Sequence, residues 1–149
     1  MGSPFDPRIN DFLQLARVAH LATADAAGAP HNIPLCFWVD DDNRFYFIID
    51  EKPKRASGAA LKRTRNIAVN PRLALVVDHY EEDWSSLAYV LIHGRAVVVE
   101  DPDEYLLALR NLRGKYPQYR SMTLNPEKNP IVRVDPERLH SWGSRFRTD

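Results

Sequence analysis

Six of the chain's twenty Lys and Arg fall between Lys52 and Arg65: Lys52, Lys54, Arg55, Lys62, Arg63 and Arg65. They lie between two strand-like runs, FYFIID and LALVVDHY. Arg63 and Arg65 offer forked donors suited to phosphate or carboxylate, and the lysines add point charges. Such a segment after a strand, where backbone N–H groups can also face an anion, suggests a site for a small polyanion. The competing reading is a solvated helix face, which describes most charge runs. No Walker lysine motif and no GxGxxG accompany the stretch, so neither nucleotide fold is indicated.

Other reactive side chains are sparse. The five histidines (His20, His31, His79, His93 and His140) show no HExxH spacing, and Cys36 has no CxxC partner. No metal site is therefore expected. His31 and His93 are expected to make structural hydrogen bonds within strands. Asp78, Glu81, Glu82 and Asp83 read as an exposed polar loop, and Ser85 and Ser86 lack a nucleophile-elbow context. Trp142, in RLHSWGSRFR, is either a packing residue or a flat face for a ring-shaped ligand.

These groups must be positioned by a framework of short strands. The 149 residues suit one domain, 1–149, with 44% hydrophobic and 27% charged residues. Lys and Arg together equal Asp and Glu, so composition lends no support to a nucleic-acid or membrane-surface role. A single cysteine rules out an intramolecular disulfide. No apolar run reaches membrane-spanning length and no signal pattern opens the chain, so a cytoplasmic location is expected.

A helix is predicted over 6–18, with Asp6 as cap, Pro7 in the first turn and Ile9, Phe12, Leu13 and Ala16 as its apolar stripe. Strands are predicted at 19–24, 31–39, 44–50, 72–80, 87–100, 131–135 and 138–143. In the second, Ile33, Leu35, Phe37 and Val39 alternate with Asn32, Pro34, Cys36 and Trp38. Pro34 demands an edge or a bulge. The 31–39 and 44–50 runs are expected to form a hairpin. Gly94 predicts a bulge or barrel bend. Helices are predicted at 56–68, stopping at Asn70-Pro71, and at 102–116, with Asp101 and Glu104 as a capping-box variant. Tyr105, Leu109, Leu112 and Tyr116 form the inner face of the last helix. The pattern is mainly β with peripheral α: six or seven antiparallel strands in a small barrel with two or three helices.

In this order the features resemble the pyridoxamine 5′-phosphate oxidase-like superfamily of flavin-binding split barrels. The carrying residues are HLATADAAGAPHNIPLCFWVDDDNRFYFIID, then KPKR…LKRTRNIAVNPRLALVVDHYEEDW, then HGRAVVVED. Within that superfamily the chain looks most like the probable coenzyme F-420-dependent enzymes. The resemblance implies a Greek-key split β-barrel and a homodimer with two cofactor sites at the subunit interface. By position, Asn32, Ile33, Pro34, Leu35, Cys36 and Phe37 would line the isoalloxazine or deazaflavin ring, with Phe47 and Ile48 beside it. Lys62 and Arg63 match the pair that holds the cofactor phosphate. Trp142 matches a tryptophan that reaches the partner's cofactor, and Arg145 or Arg147 corresponds loosely to a nearby arginine. Ala88 stands where oxidase members often carry Gln. The substrate-gripping ending of the oxidases proper is replaced by SWGSRFRTD, which argues against pyridoxamine phosphate oxidation.

The resemblance implies an oxidoreductase that transfers hydride to a small organic acceptor. FMN needs one phosphate site, whereas coenzyme F-420 carries a phosphodiester and an acidic tail. Lys52, Lys54 and Arg55 exceed what one phosphate needs, which favours F-420 with FMN as the alternative. His79 and Tyr80 are the candidate proton donors. The rival expectations are a non-catalytic flavin or haem carrier and an oligonucleotide-binding barrel; zero net charge weighs against the latter.

Overall fold

Seven antiparallel strands form one sheet in the order β2-β1-β5-β6-β7-β4-β3. They are β1 (Ala19–Ala24), β2 (Pro30–Leu35), β3 (Trp38–Val39), β4 (Phe45–Ile48), β5 (Arg72–His79), β6 (Ala88–Val98) and β7 (Ile131–Gly143). Among the described residues three α-helices accompany them: α1 (Pro7–Leu15), α2 (Lys62–Val69) and α3 (Pro102–Lys115). This is a computed structural model in which residues 6–50 and 62–147 are described, the side chains of Lys62 and Arg63 excepted.

The strand order has a geometric consequence. β2 and β3 stand at opposite edges, yet only Cys36 and Phe37 separate them along the chain. Three Cα–Cα steps span at most about 11 Å. The sheet must therefore curl until its edges meet, and this link is its seam. The expected 31–39 strand is thus two strands. Residues 30–35 pair with β1, from Ala24↔Pro30 to Ala19↔Leu35. Only Trp38 and Val39 form the predicted hairpin, with Tyr46 and Phe45. The turn at 25–29 explains the preference for β1. Asp25 Oδ1 accepts from the N–H groups of Ala27 and Ala29, both at 2.9 Å, which ties β1 tightly to β2. Pro34 sits on the edge strand, where its missing N–H costs no ladder bond.

The opposite correction applies at the C-terminus. The two expected strands at 131–135 and 138–143 are one, β7. Its register with β6 shifts where His93↔Arg138 gives way to Gly94↔Pro136, leaving Glu137 as the extra residue. Gly94 is required there, because a Cβ would collide with the Asp135 carbonyl oxygen.

α1 begins as predicted, with Asp6 Oδ1 accepting from Arg8 N–H at 2.9 Å and Pro7 at its first position. It ends at Leu15 rather than at 18, because Ala16 turns extended to lead into β1. Asp101 caps α3 through the Asp103 N–H. Glu104 does not complete a capping box; its carboxylate accepts from Arg133 at 2.8 Å and from the Tyr46 hydroxyl at 2.8 Å. Two charge-assisted bonds outcompete one backbone N–H at a helix end.

β4 is buried throughout because it serves two cores. Phe45 and Phe47 enter the barrel interior with Leu21, Phe37, Val39, Leu75 and Ile92. Tyr46 and Ile48 face outward against α3, with Tyr105, Leu109 and Leu112.

Candidate cofactor bed

β2 runs along the sheet between two chemically distinct ends. At one end His31 stands opposite Thr23; at the other, Leu35 stands opposite Ala19. Four strand steps separate these positions, roughly 13 Å. Asn32 and Pro34 are exposed on one face, while Ile33 and Leu35 pack against the interior cluster.

The His31 end is polar. Thr23 and Asn66 are buried, and Asn66 Nδ2 donates to Thr23 Oγ1 at 3.1 Å. This bond, together with the buried Ile67, seats α2 on β1. His31 Nδ1 and Thr64 Oγ1 are buried and have no hydrogen-bond partner among the described residues. The strand hydrogen bond expected of His31 is therefore not made by that atom. Buried orphans of this kind call for an explanation, and a ligand is one. α2 as described begins with Lys62 and Arg63, one helical turn from Asn66. Their side chains, and all of Lys52, Lys54 and Arg55, lie outside the described residues.

The seam end is held by the C-terminus of α3. Tyr116 Oη accepts from the Phe37 N–H and lies 3.1 Å from the Phe37 carbonyl and 2.9 Å from the Arg17 carbonyl, each able to accept its single proton. Phe37 is fully buried, stacked on Phe45 with centroids 5.0 Å apart. Lys115 Nζ lies 3.9 Å above the Phe37 ring and has no hydrogen-bond partner among the described residues. Burial, and then the like charge of Arg17, bring its amine down to about 8. Burial also raises the Cys36 thiol, partly offset by the Tyr119 hydroxyl, and pushes the Tyr116 phenol up to about 12. Nothing in the local sequence pairs Lys115 with Phe37, seventy-eight positions away, so this contact was not foreseen; the aromatic Tyr116 was legible only as a helix-face residue.

The lowered lysine makes a pH prediction. Between about pH 8 and the usual lysine value near 10.4, the unfolded chain holds a proton that the folded chain has released. Stability contributed through Lys115 therefore rises with pH across that window. The raised Cys36 thiol acts in the opposite direction, so the comparison is with Lys115→Met, which keeps Cys36. Urea midpoints measured at pH 7.5 and 9.5 are expected to shift more favourably with pH in the wild type than in the variant. Parallel shifts would show that the amine is not desolvated.

The other named residues are scattered. Phe47 and Ile48 are buried in the two separate cores, so their side chains are occupied by packing. Trp142 is 45% exposed on the outer sheet face and stacks on Tyr89 at 5.9 Å. Ala88 is buried opposite Gly143. His79 Nε2 lies 2.7 Å from Glu81 Oε1, and the exposed Tyr80 hydroxyl accepts weakly from Trp84 Nε1 at 3.4 Å. The Arg145 guanidinium lies over the Phe12 ring at 5.1 Å, and the Arg147 carbonyl accepts from Arg8. No helix among the described residues is long and apolar enough to cross a membrane.

A curled, seven-stranded antiparallel sheet with its edges joined by a two-residue seam, accompanied by the helices α1, α2 and α3, defines a split-barrel protein of mainly β class. The chain matches the family model described as pyridoxamine 5′-phosphate oxidase over residues 5–143, and it belongs to that family. It is 27% identical over 146 residues to the 5a,11a-dehydrotetracycline/5a,11a-dehydrooxytetracycline reductase of Streptomyces rimosus subsp. rimosus, covering 94% of this chain and 84% of the relative. Among solved structures, it shares its fold with a FAD-binding protein of Mesorhizobium loti (TM-score 0.65, 19% identity, 88% of each chain). It shares it also with the haem storage protein HutZ of Vibrio cholerae (TM-score 0.67, 19% identity, 91% of this chain and 93% of that one).

Proposed function

We propose that the chain is an oxidoreductase that binds a deazaflavin, coenzyme F-420, along β2 and uses it to reduce a small organic acceptor, with FMN as the alternative cofactor. The observation that carries this reading is that His31 Nδ1 and Thr64 Oγ1 are buried and without a hydrogen-bond partner among the described residues, Thr64 lying on the helix that bears Lys62 and Arg63. A phosphate there would satisfy both orphans and meet two cations. The rest of β2 and the backbone of the seam, Asn32 to Phe37, then lie alongside the ring. Family membership and a relative named as a reductase support redox chemistry over simple carriage.

In this reading Lys62 and Arg63 hold the phosphate, and Lys52, Lys54 and Arg55 follow the acidic tail of F-420. When bound, the cofactor supplies the hydride chemistry itself. The chain orients it with the rigid β1–β2 ladder, which the seam fixes at one end. His79, whose Nε2 lies 2.7 Å from Glu81 Oε1, is the candidate to deliver a proton to a reduced acceptor.

A homodimer fits the outer sheet face. Residues directly paired in neighbouring strands share a face, and here they form rows: Ala22 and Ala74; His20, Val76, Leu91 and His140; Tyr89 and Trp142. A second copy packed on these rows would bring its Trp142 towards the first copy's ring.

The test is a titration of the purified protein with FMN, F-420 and haemin. F-420 is expected to bind most tightly. Lys62→Ala/Arg63→Ala should weaken both flavin-type ligands, each lost charge-assisted contact costing about 1.5–3 kcal/mol, or roughly tenfold and more. Lys54→Ala/Arg55→Ala should weaken F-420 alone. Equal affinity for the two cofactors, with F-420 binding untouched in the second variant, would refute the tail track. A Soret band with no flavin binding would replace the redox reading by haem carriage.

A further inference from the structure

A concavity opens beside the seam end of β2. It is a cleft of about 370 Å³ between the end of α1, the start of β1 and the end of β5, within the usual range for small-molecule sites. Its apolar lining is Phe12, Leu15, Ala16 and Val18. Leu15 is 80% exposed, at a helix end that could have carried a polar residue at no cost to the core. Its polar lining is Arg17, His20, Asp78, His79 and Arg145.

The two guanidinium groups are anchored rather than consumed. Arg17 Nη2 donates to the Lys115 carbonyl at 2.6 Å, and its carbon lies 4.8 Å over the Tyr116 ring. Arg145 Nη2 makes one long bond, 3.4 Å, to the Ser86 carbonyl and lies over Phe12. Neither is ion-paired to a carboxylate among the described residues, and each carries five N–H donors. Among the described residues, Asp78 is the carboxylate that lines the cleft, while Glu81 is turned to His79. Two guanidinium forks against one exposed carboxylate, among the described lining residues, favour an anion.

The cleft also adjoins the bed. His20 stands directly across from Pro34 in the β1–β2 ladder, so the two share a face. His20 therefore belongs to the cleft and borders the residues expected along the ring.

We propose that this cleft is the acceptor site and that it takes an amphipathic organic anion, an apolar ring or chain bearing a carboxylate or enolate. The apolar part lies on Phe12, Leu15 and Val18; the oxyanion meets Arg17 and Arg145. Its role as acceptor site rests on the cofactor reading; its ligand class rests on the cleft alone.

The experiment titrates the full-length chain, with and without its preferred cofactor, with 2-naphthoate and its neutral counterpart 2-naphthamide by calorimetry. Naphthoate is expected to bind at least fivefold more tightly. Arg145→Gln should remove most of that preference and leave naphthamide binding unchanged. Leu15→Glu, at an exposed position that the fold does not need, should weaken naphthoate at least fivefold. Equal binding of the two probes, or a preference that survives both substitutions, overturns the proposal. A chain that binds no cofactor yet shows this pattern supports the anion cleft and refutes only the cofactor reading. A chain that binds cofactor without discriminating the probes refutes only the cleft.

Discussion

Replacing Phe37 by alanine is expected to cost about 3–5 kcal/mol of stability, the range for truncating a buried aromatic side chain. The ring is fully buried, stacked on Phe45, and covered by the Lys115 ammonium at 3.9 Å. Its removal would open a cavity where the two sheet edges meet and strip a desolvated cation of its aromatic face, worth about 0.5–2 kcal/mol by itself. The loss should be uneven. Tyr116 Oη would still bind the backbone at position 37, but the link would no longer be wedged between Phe45 and Lys115. Hydrogen exchange is expected to speed up most in β2 and β3 and least in the long β6–β7 ladder. Urea denaturation gives the total. A loss below about 1 kcal/mol, or exchange that rises uniformly, would mean that the seam is not what closes the sheet.

Gly143→Ala is expected to destabilise the chain by about 3 kcal/mol. Gly143 has φ 133°, a backbone region that side chains strongly disfavour, at about 1–3 kcal/mol. A Cβ there would also lie 2.7 Å from the Leu87 carbonyl oxygen and 3.0 Å from Ala88 Cα. These are backbone atoms at the end of the β6–β7 ladder, and they cannot rotate aside. Overpacking of this kind costs about 1–3 kcal/mol, and the two penalties overlap rather than add. Trp142 precedes Gly143, so the same change should alter the exposed tryptophan's fluorescence. Gly114→Ala provides the contrast. It lies within α3 with nothing within 4 Å of the added methyl, so it should be neutral or stabilising by up to about 1 kcal/mol. If both substitutions behaved alike, conformational strain at Gly143 would be excluded as the cause.

What the sequence made legible is what neighbouring residues decide. Asp6 with Pro7, and Asp101 with Pro102, start their helices because cap and donor are two residues apart. Pro34 marks an edge because a missing donor is a property of one residue. β1 was readable to its end residues. Partner choice was not. The alternation at 31–39 is continuous through Cys36–Phe37, and only tertiary pairing shows that it serves two edges. Glu104 had the spacing of a capping box, but Arg133, twenty-nine positions on, offered a stronger bond. For the candidate site, the sequence offered β2 and the basic stretch as expectations, and most of that stretch lies outside the described residues. The sequence missed Thr23, Thr64 and Asn66, since an isolated Thr or Asn carries no signal until α2 folds onto β1.

The way the sheet ends has a colloidal consequence. An open strand edge invites a foreign strand, and growth of that kind leads to aggregates. Here one edge, β2, carries Pro30 and Pro34, which cannot donate to an incoming backbone. The other edge, β3, is only two residues long. A protein with so much strand and no net charge has little electrostatic repulsion to keep its copies apart. The blunted edges supply a geometric protection against fibrous self-association that its charge does not.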